Sequence, residues 1–118
     1  MSRVIDVKRI FRAMKYSIDG LKIATTNQVS FRLELILGSL LIPIAIWLGK
    51  NGLEMALMIS VLILVLIVEL INSAIEATVD RIGSDDNALS KHAKDLGSAA
   101  VFVSLINVPL VWSLIIFI

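Results

Sequence analysis

Residues 55–80 read MALMISVLILVLIVELINSAIEATVD, and this stretch decides the fold. Met55 to Val68 is an unbroken run of uncharged, almost wholly apolar residues; Glu69 follows it, and LINSAI separates Glu69 from Glu76. With its flanks, the run is long enough for a membrane-crossing helix, since a bilayer core takes about 20 apolar residues. A carboxylate inside such a run costs on the order of 3 kcal/mol on insertion scales, so it persists where it serves a function. Glu69 is therefore the first candidate functional residue.

Composition extends this reading to the whole chain. With 118 residues, 58% hydrophobic and 18% charged, the sequence carries too much apolar surface for a soluble domain of its size. It reads as an integral membrane protein. Cysteine is absent, which excludes a disulfide framework, a thiolate metal site and a cysteine nucleophile. The net charge of +1 conceals an asymmetry: Arg3, Lys8, Arg9, Arg12, Lys15, Lys22 and Arg32 crowd the start, and Arg81, Lys91 and Lys94 lie together further on.

Between these charged segments lie three apolar stretches, the first borrowing Val29 to Glu34 to reach spanning length. The prediction is an all-α membrane protein of one domain over residues 1–118: an amphipathic surface helix over about 4–27, then membrane helices over about 29–49, 54–80 and 95–118. The positive-inside bias puts the N-terminus and the 81–95 loop in the cytoplasm, and the Lys50 loop and the C-terminus on the other side. The opening MSRVIDVKRIFRAMK interleaves charge with apolar residues and has no uninterrupted apolar core, so it is not a cleavable signal peptide. Pro43 falls mid-span and is expected to bend its helix. Trp47 and Trp112, near span ends, read as interface anchors.

Val4, Val7, Ile10, Phe11, Met14, Ile18 and Leu21 recur at helical steps, with Lys8, Arg12, Lys15, Asp19 and Lys22 between them. This is an amphipathic helix suited to lying on a membrane. Setting topology at the interface accounts for the pattern as well as a functional role does.

In the second span, Glu69, Asn72, Glu76 and Asp80 are spaced by three, four and four, and so point within a sector of roughly 80°. Carboxylates facing lipid would be neutralised, so the stripe faces protein, water or ions. It runs roughly 16 Å from Asp80 into the membrane. Glu69 and Glu76, about 10 Å apart along one helix, suit two separate roles, one accepting a proton and one holding a cation. The alternative is polar glue between helices of an oligomer, with Asn72 and Ser73 adding hydrogen bonds. In the loop, IGSDDNALSKHAKDLGSAA puts Gly83, Ser84, Asp85, Asp86 and Asn87 in a turn, followed by Lys91, His92, Lys94 and Asp95 before the third span. Lys94 and Asp95 would cap that span or serve a phosphate site; His92 reads as solvated. Carboxylates for a divalent metal beside lysine and arginine for phosphate oxygens are the parts of phosphoryl transfer. No Gly-x-x-x-x-Gly-Lys loop or Gly-rich kinase loop occurs.

VELINSAIEATVDRIGSDDNALSKHAKDLGSAAV, with YSIDGLKIA and SFRLE earlier, resembles the small integral-membrane diacylglycerol kinases of bacteria over nearly the whole chain. The most specific part is Glu-x-x-Asn-Ser-Ala-Ile-Glu, then Val-Asp and Ala-Lys-Asp. The resemblance implies a homotrimer in the bacterial inner membrane, with its C-terminus periplasmic, that transfers the γ-phosphate of ATP to diacylglycerol with Mg2+, at sites built between subunits. It implies Glu69 as general base and Glu76 as a magnesium ligand, with Asn72 and Asp80 in support. Arg9, Tyr16, Lys94 and Asp95, with Asp85, Asp86 and Asn87, would hold the nucleotide together with Gln28 and Glu76. The lipid would run along Arg9, Ala13, Met14, Lys15, Tyr16, Ser17 and Ile18, then Phe31, Arg32, Glu34 and Ser98, to Glu69.

One position departs from the family pattern. Where these enzymes carry a second acidic magnesium ligand, this chain has Gln28, in TTNQVSFRLE. The amide coordinates through one carbonyl oxygen without adding charge, so magnesium binding is expected to weaken. Within the family, a relative that phosphorylates undecaprenol is the alternative. A small proton-coupled transporter explains Glu69 equally well but leaves Lys94 and Asp95 unused, and a non-catalytic assembly protein needs only the polar glue. Nucleic acid is not expected as a partner, because the basic residues follow a membrane-facing helix.

Overall fold

A computed structural model describes residues 3–83 and 87–118. Among the described residues there are four helices and no strand: α1 (Arg3–Asn27), α2 (Val29–Leu48), α3 (Gly52–Ile82) and α4 (Ala88–Phe117). The last three are long and apolar enough to cross a membrane, as the apolar runs predict.

α1 and α2 are divided by one residue. Gln28 has φ −114° and ψ 107°, an extended conformation, yet its N–H still donates to Ala24 O at 3.0 Å and its carbonyl accepts from Arg32 N at 3.2 Å. The chain turns sharply while losing almost no helical hydrogen bonding. The turn is braced by Arg32, whose Nη1 donates to the carbonyls of Thr25 at 3.0 Å and Thr26 at 2.9 Å. Those carbonyls lie in the last turn of α1, where acceptors lack helical partners and a positive charge is favoured. Ala24 and Phe31 are buried at the same elbow. Beyond it α1 leaves the bundle: the molecule extends 47 × 46 × 26 Å, and the second dimension is too long for a narrow bundle alone. The apolar residues Ile10, Phe11, Met14 and Ile18 on α1 all remain exposed, an unpartnered stripe of the kind that lies in a membrane interface.

α2 and α3 join through a tight hairpin. Gly49 ends α2, and a Cβ there would come within 2.5 Å of Met55 Cγ, so the close approach needs glycine. Asn51 then caps α3, accepting from Glu54 N at 2.9 Å, while Glu54 Oε1 accepts from Lys50 N at 2.9 Å. This reciprocal pairing resembles a capping box displaced by one residue. α2 stays helical through Pro43, and α4 through Pro109.

The core is small, as expected when lipid or further copies cover the outside. Phe31 and Ala45 of α2 are buried, as are Met58, Val61, Leu62 and Val65 along one face of α3. α4 runs antiparallel to α3, and Trp112 Nε1 donates to Met58 O at 3.1 Å. Trp47 is 82% exposed, whereas Trp112 is half-buried and ties two helices together. α4 begins at Ala88, ahead of the membrane span expected from about residue 95, because Asn87 Oδ1 accepts from Leu89 N at 2.8 Å and Ser90 N at 3.2 Å and so sets the cap. Lys94 and Asp95 accordingly lie inside the helix and do not cap it.

Candidate active site

The polar stripe of α3 runs from buried to open. Glu69 is 6% exposed and Asn72 7%, whereas Glu76 and Asp80 are exposed. Helical spacing places them in one column, and packing by α2 and α4 covers its deep end. Asn72 Nδ2 donates to Glu76 Oε1 at 2.9 Å, fixing one carboxylate oxygen of the exposed acid. Asn72 Oδ1 is buried against Gly97 of α4 and has no hydrogen-bond partner.

α2 supplies the next group. Glu34 reaches Glu69, so the two carboxyl groups interact directly across the α2–α3 contact. Glu34 Oε2 is itself buried without a hydrogen-bond partner. A buried polar atom without a partner is uncommon and costly, and two of them beside the deep end of one stripe set it apart from an ordinary packed core. Glu34 also lines an apolar cavity of about 170 Å³ with Leu37, Gly38, Leu62, Val65 and Leu105, so the carboxyl pair adjoins a space suited to hydrocarbon.

At the open end, Asp80 forms an ion pair with Lys94, and Lys91 Nζ lies 2.6 Å from Asp95 Oδ2 one helical turn along α4. Thus α4 brings Lys94 to the mouth of the stripe. Ser98, one residue beyond Gly97, is exposed. Asp85 and Asp86 lie outside the described residues, and Asn87 is engaged as the α4 cap.

Other candidates from the sequence sit elsewhere in the chain. Gln28 lines a cavity of about 600 Å³ between α1 and α3 with Ser17, Leu21, Ala24, Ser73 and Ala77. Ser73 and Ala77 flank the stripe on α3, so Gln28 faces its neighbouring side. Arg9 and Tyr16 line a notch of α1 with Arg12 and Ala13. Met14, Ser17 and Ile18 line a second one, and Lys15 is exposed. Phe31 is buried, and Arg32 is engaged at the elbow. One chain therefore unites Glu34, Glu69, Asn72, Glu76, Asp80 and Lys94, sets Gln28 on the neighbouring side of α3, and leaves Arg9 and Tyr16 on a separate surface.

Among the described residues no three acids or histidines gather as a metal cage. Magnesium is usually held by one or two carboxylates with waters and substrate phosphates, and a single oriented carboxylate at an open mouth fits that donor set. Glu76 is such a carboxylate. Two features of the site have no separate signal in the sequence. Glu34 and Glu69 meet from different helices, which no periodicity connects, and Gly97 reads only as one of several small residues in GSAA.

The model of the prokaryotic diacylglycerol kinase family matches residues 15–116 of the chain. A diacylglycerol kinase of Haemophilus influenzae is 44% identical over 117 residues, 99% of each chain. One of Pseudomonas aeruginosa is 48% identical over 109 residues, covering 92% of this chain and 89% of its own. That of Escherichia coli K12 is 46% identical over 107 residues, 91% of this chain and 88% of its own.

Proposed function

Because the chain belongs to the prokaryotic diacylglycerol kinase family, we propose that it is a membrane enzyme transferring the γ-phosphate of ATP to the hydroxyl of diacylglycerol, giving phosphatidic acid, with Glu69 as general base. The observation that carries this reading is the buried Glu69 at the foot of a polar column whose other end is open and lysine-flanked.

The chemistry follows from that gradient. A diacylglycerol hydroxyl lies at or just beneath the headgroup level, so its base must be set into the membrane. The hydroxyl oxygen attacks the γ-phosphorus, its proton passes to the Glu69 carboxylate, and the bond from phosphorus to the β,γ-bridging oxygen breaks, leaving ADP. Glu34 holds the Glu69 carboxyl in place from α2. The apolar cavity beside Glu34 takes part of an acyl chain.

At the mouth, Lys94 provides charge for phosphate oxygens by exchanging its Asp80 contact for the nucleotide, and Asp95, Arg9 and Tyr16 contribute to holding it. Glu76, oriented by Asn72, and Gln28 would hold magnesium, which when bound neutralises charge on the phosphates. The separation of Arg9 and Tyr16 from the α3 column within one chain, and the exposed apolar faces of the spans, support assembly into a homotrimer with sites shared between copies. The basic α1 and the 81–95 segment would face the cytoplasm, where ATP is supplied.

The test is phosphate transfer from radiolabelled ATP in mixed micelles carrying either diacylglycerol or undecaprenol. Labelled phosphatidic acid with at least tenfold preference for diacylglycerol is the expected outcome. A preference for undecaprenol would reassign the lipid, and no transfer to either, even by Gln28→Glu, would reject the kinase reading.

A further inference from the structure

Gly97 lies in the interior of α4 and is buried, although glycine is a poor helix residue. An added Cβ there would collide with Asn72 Oδ1, with Asn72 Cγ at 3.3 Å and Ile75 Cδ1 at 3.8 Å behind it. Cβ atoms at Gly20, Gly38, Gly52 and Gly83 would meet nothing within 4 Å, and the one at Gly49 would meet Met55 Cγ and the backbone of Ala45 and Met55 in the α2–α3 hairpin. Among the described glycines, Gly97 alone has the place of its missing side chain filled by a polar group of the α3 column.

The contact constrains a particular atom. Asn72 is 7% exposed and packed under α4, so its carboxamide has little space in which to swing. With Oδ1 turned to Gly97, Nδ2 points to Glu76 and donates at 2.9 Å; the reverse orientation would set the amide oxygen against a carboxylate. We propose that Gly97 is a positioning residue: by admitting Asn72 Oδ1 against the α4 backbone, it holds the amide that orients the Glu76 carboxylate. Its importance for the kinase reaction rests on the function proposed above; the geometric role does not.

The test uses the full-length protein in detergent micelles, with Gly97→Ala, Gly52→Ala as a control at the far end of α3, Asn72→Ala, and the Gly97→Ala/Asn72→Ala double variant. The first readout is the 15N side-chain amide resonance of Asn72, assigned by its loss in Asn72→Ala. It is expected to shift in Gly97→Ala and to stay in place in Gly52→Ala; an unshifted resonance in Gly97→Ala overturns the proposal whatever the activity. The second readout is kinetic. Gly97→Ala should lower kcat about tenfold and raise the magnesium requirement with the lipid KM unchanged, as expected when a group supporting a ligand is disturbed. In the Asn72→Ala background the same substitution should cost nothing further, and losses that multiply would overturn the coupling. If Gly97→Ala fails to fold, recovery of a folded protein in the double variant supports the contact, and failure of both contradicts it. A parent protein inactive on lipid would reject the kinase reading while leaving the amide resonance to decide Gly97.

Discussion

The two halves of α3 are one continuous helix with opposite tasks. From Met58 to Val65 its buried side chains are apolar, and its tie to α4 is the Trp112 hydrogen bond to the Met58 carbonyl. From Glu69 onwards its buried side chains are Glu69 and Asn72, and its contact with α4 is the close approach of Gly97. The first half buries no unpartnered side-chain polar atom and packs. The second leaves buried oxygens of Asn72 and the neighbouring Glu34 without partners, so it forgoes stability that the first half secures. The contrast separates substitutions that should change activity from those that should change only stability.

Several substitutions and one extraction bear on that contrast. Chelation of divalent metal should abolish phosphate transfer and leave the helical circular-dichroism signal unchanged; persistent transfer with excess chelator would remove the role given to Glu76. Asn72→Ala should reduce kcat by about 10- to 100-fold, because it frees the Glu76 carboxylate. Initial rates across a magnesium titration check this, and a parental profile would place Asn72 with the structural half. Gln28→Glu should raise turnover or lower the magnesium requirement by several-fold, since it adds the charge the amide lacks; unchanged magnesium-dependent kinetics would count against Gln28 as a ligand. Smallest is Trp112→Phe, which keeps the ring and loses one hydrogen bond, and should cost about 0.5–1.5 kcal/mol of stability with kcat unchanged. Denaturant titration in micelles measures it, and a loss of kcat without loss of stability would erase the distinction between the two halves.

Much of this architecture is legible in the residues themselves. The apolar runs mark three spans, and the spacing of Glu69, Asn72, Glu76 and Asp80 marks one face, because both signals arise within a single helix. The elbow at Gln28 is harder to read: one extended residue with flanking hydrogen bonds intact leaves no break in composition, and its brace from Arg32 to the Thr25 and Thr26 carbonyls is a tertiary feature. The start of α4 is ambiguous because Ser84, Asp85, Asp86 and Asn87 all suit an N-cap by chemistry. The meeting of Glu34 with Glu69, and of Gly97 with Asn72, depends on the register between helices, which hydrophobic periodicity leaves undetermined. Resemblance to a known family supplied roles for residues whose meeting the pattern alone could not predict.

Glu69 is the residue on which the proposed phosphate transfer depends most. Initial rates of γ-phosphate transfer from radiolabelled ATP to diacylglycerol should be compared for the parent protein and Glu69→Gln in the same micelles, with oligomer size followed by gel filtration. The expected result is phosphatidic acid from the parent, none above background from the variant, and identical elution of the two. Retention of a tenth or more of the parental rate by a variant of unchanged size would contradict Glu69 as the base.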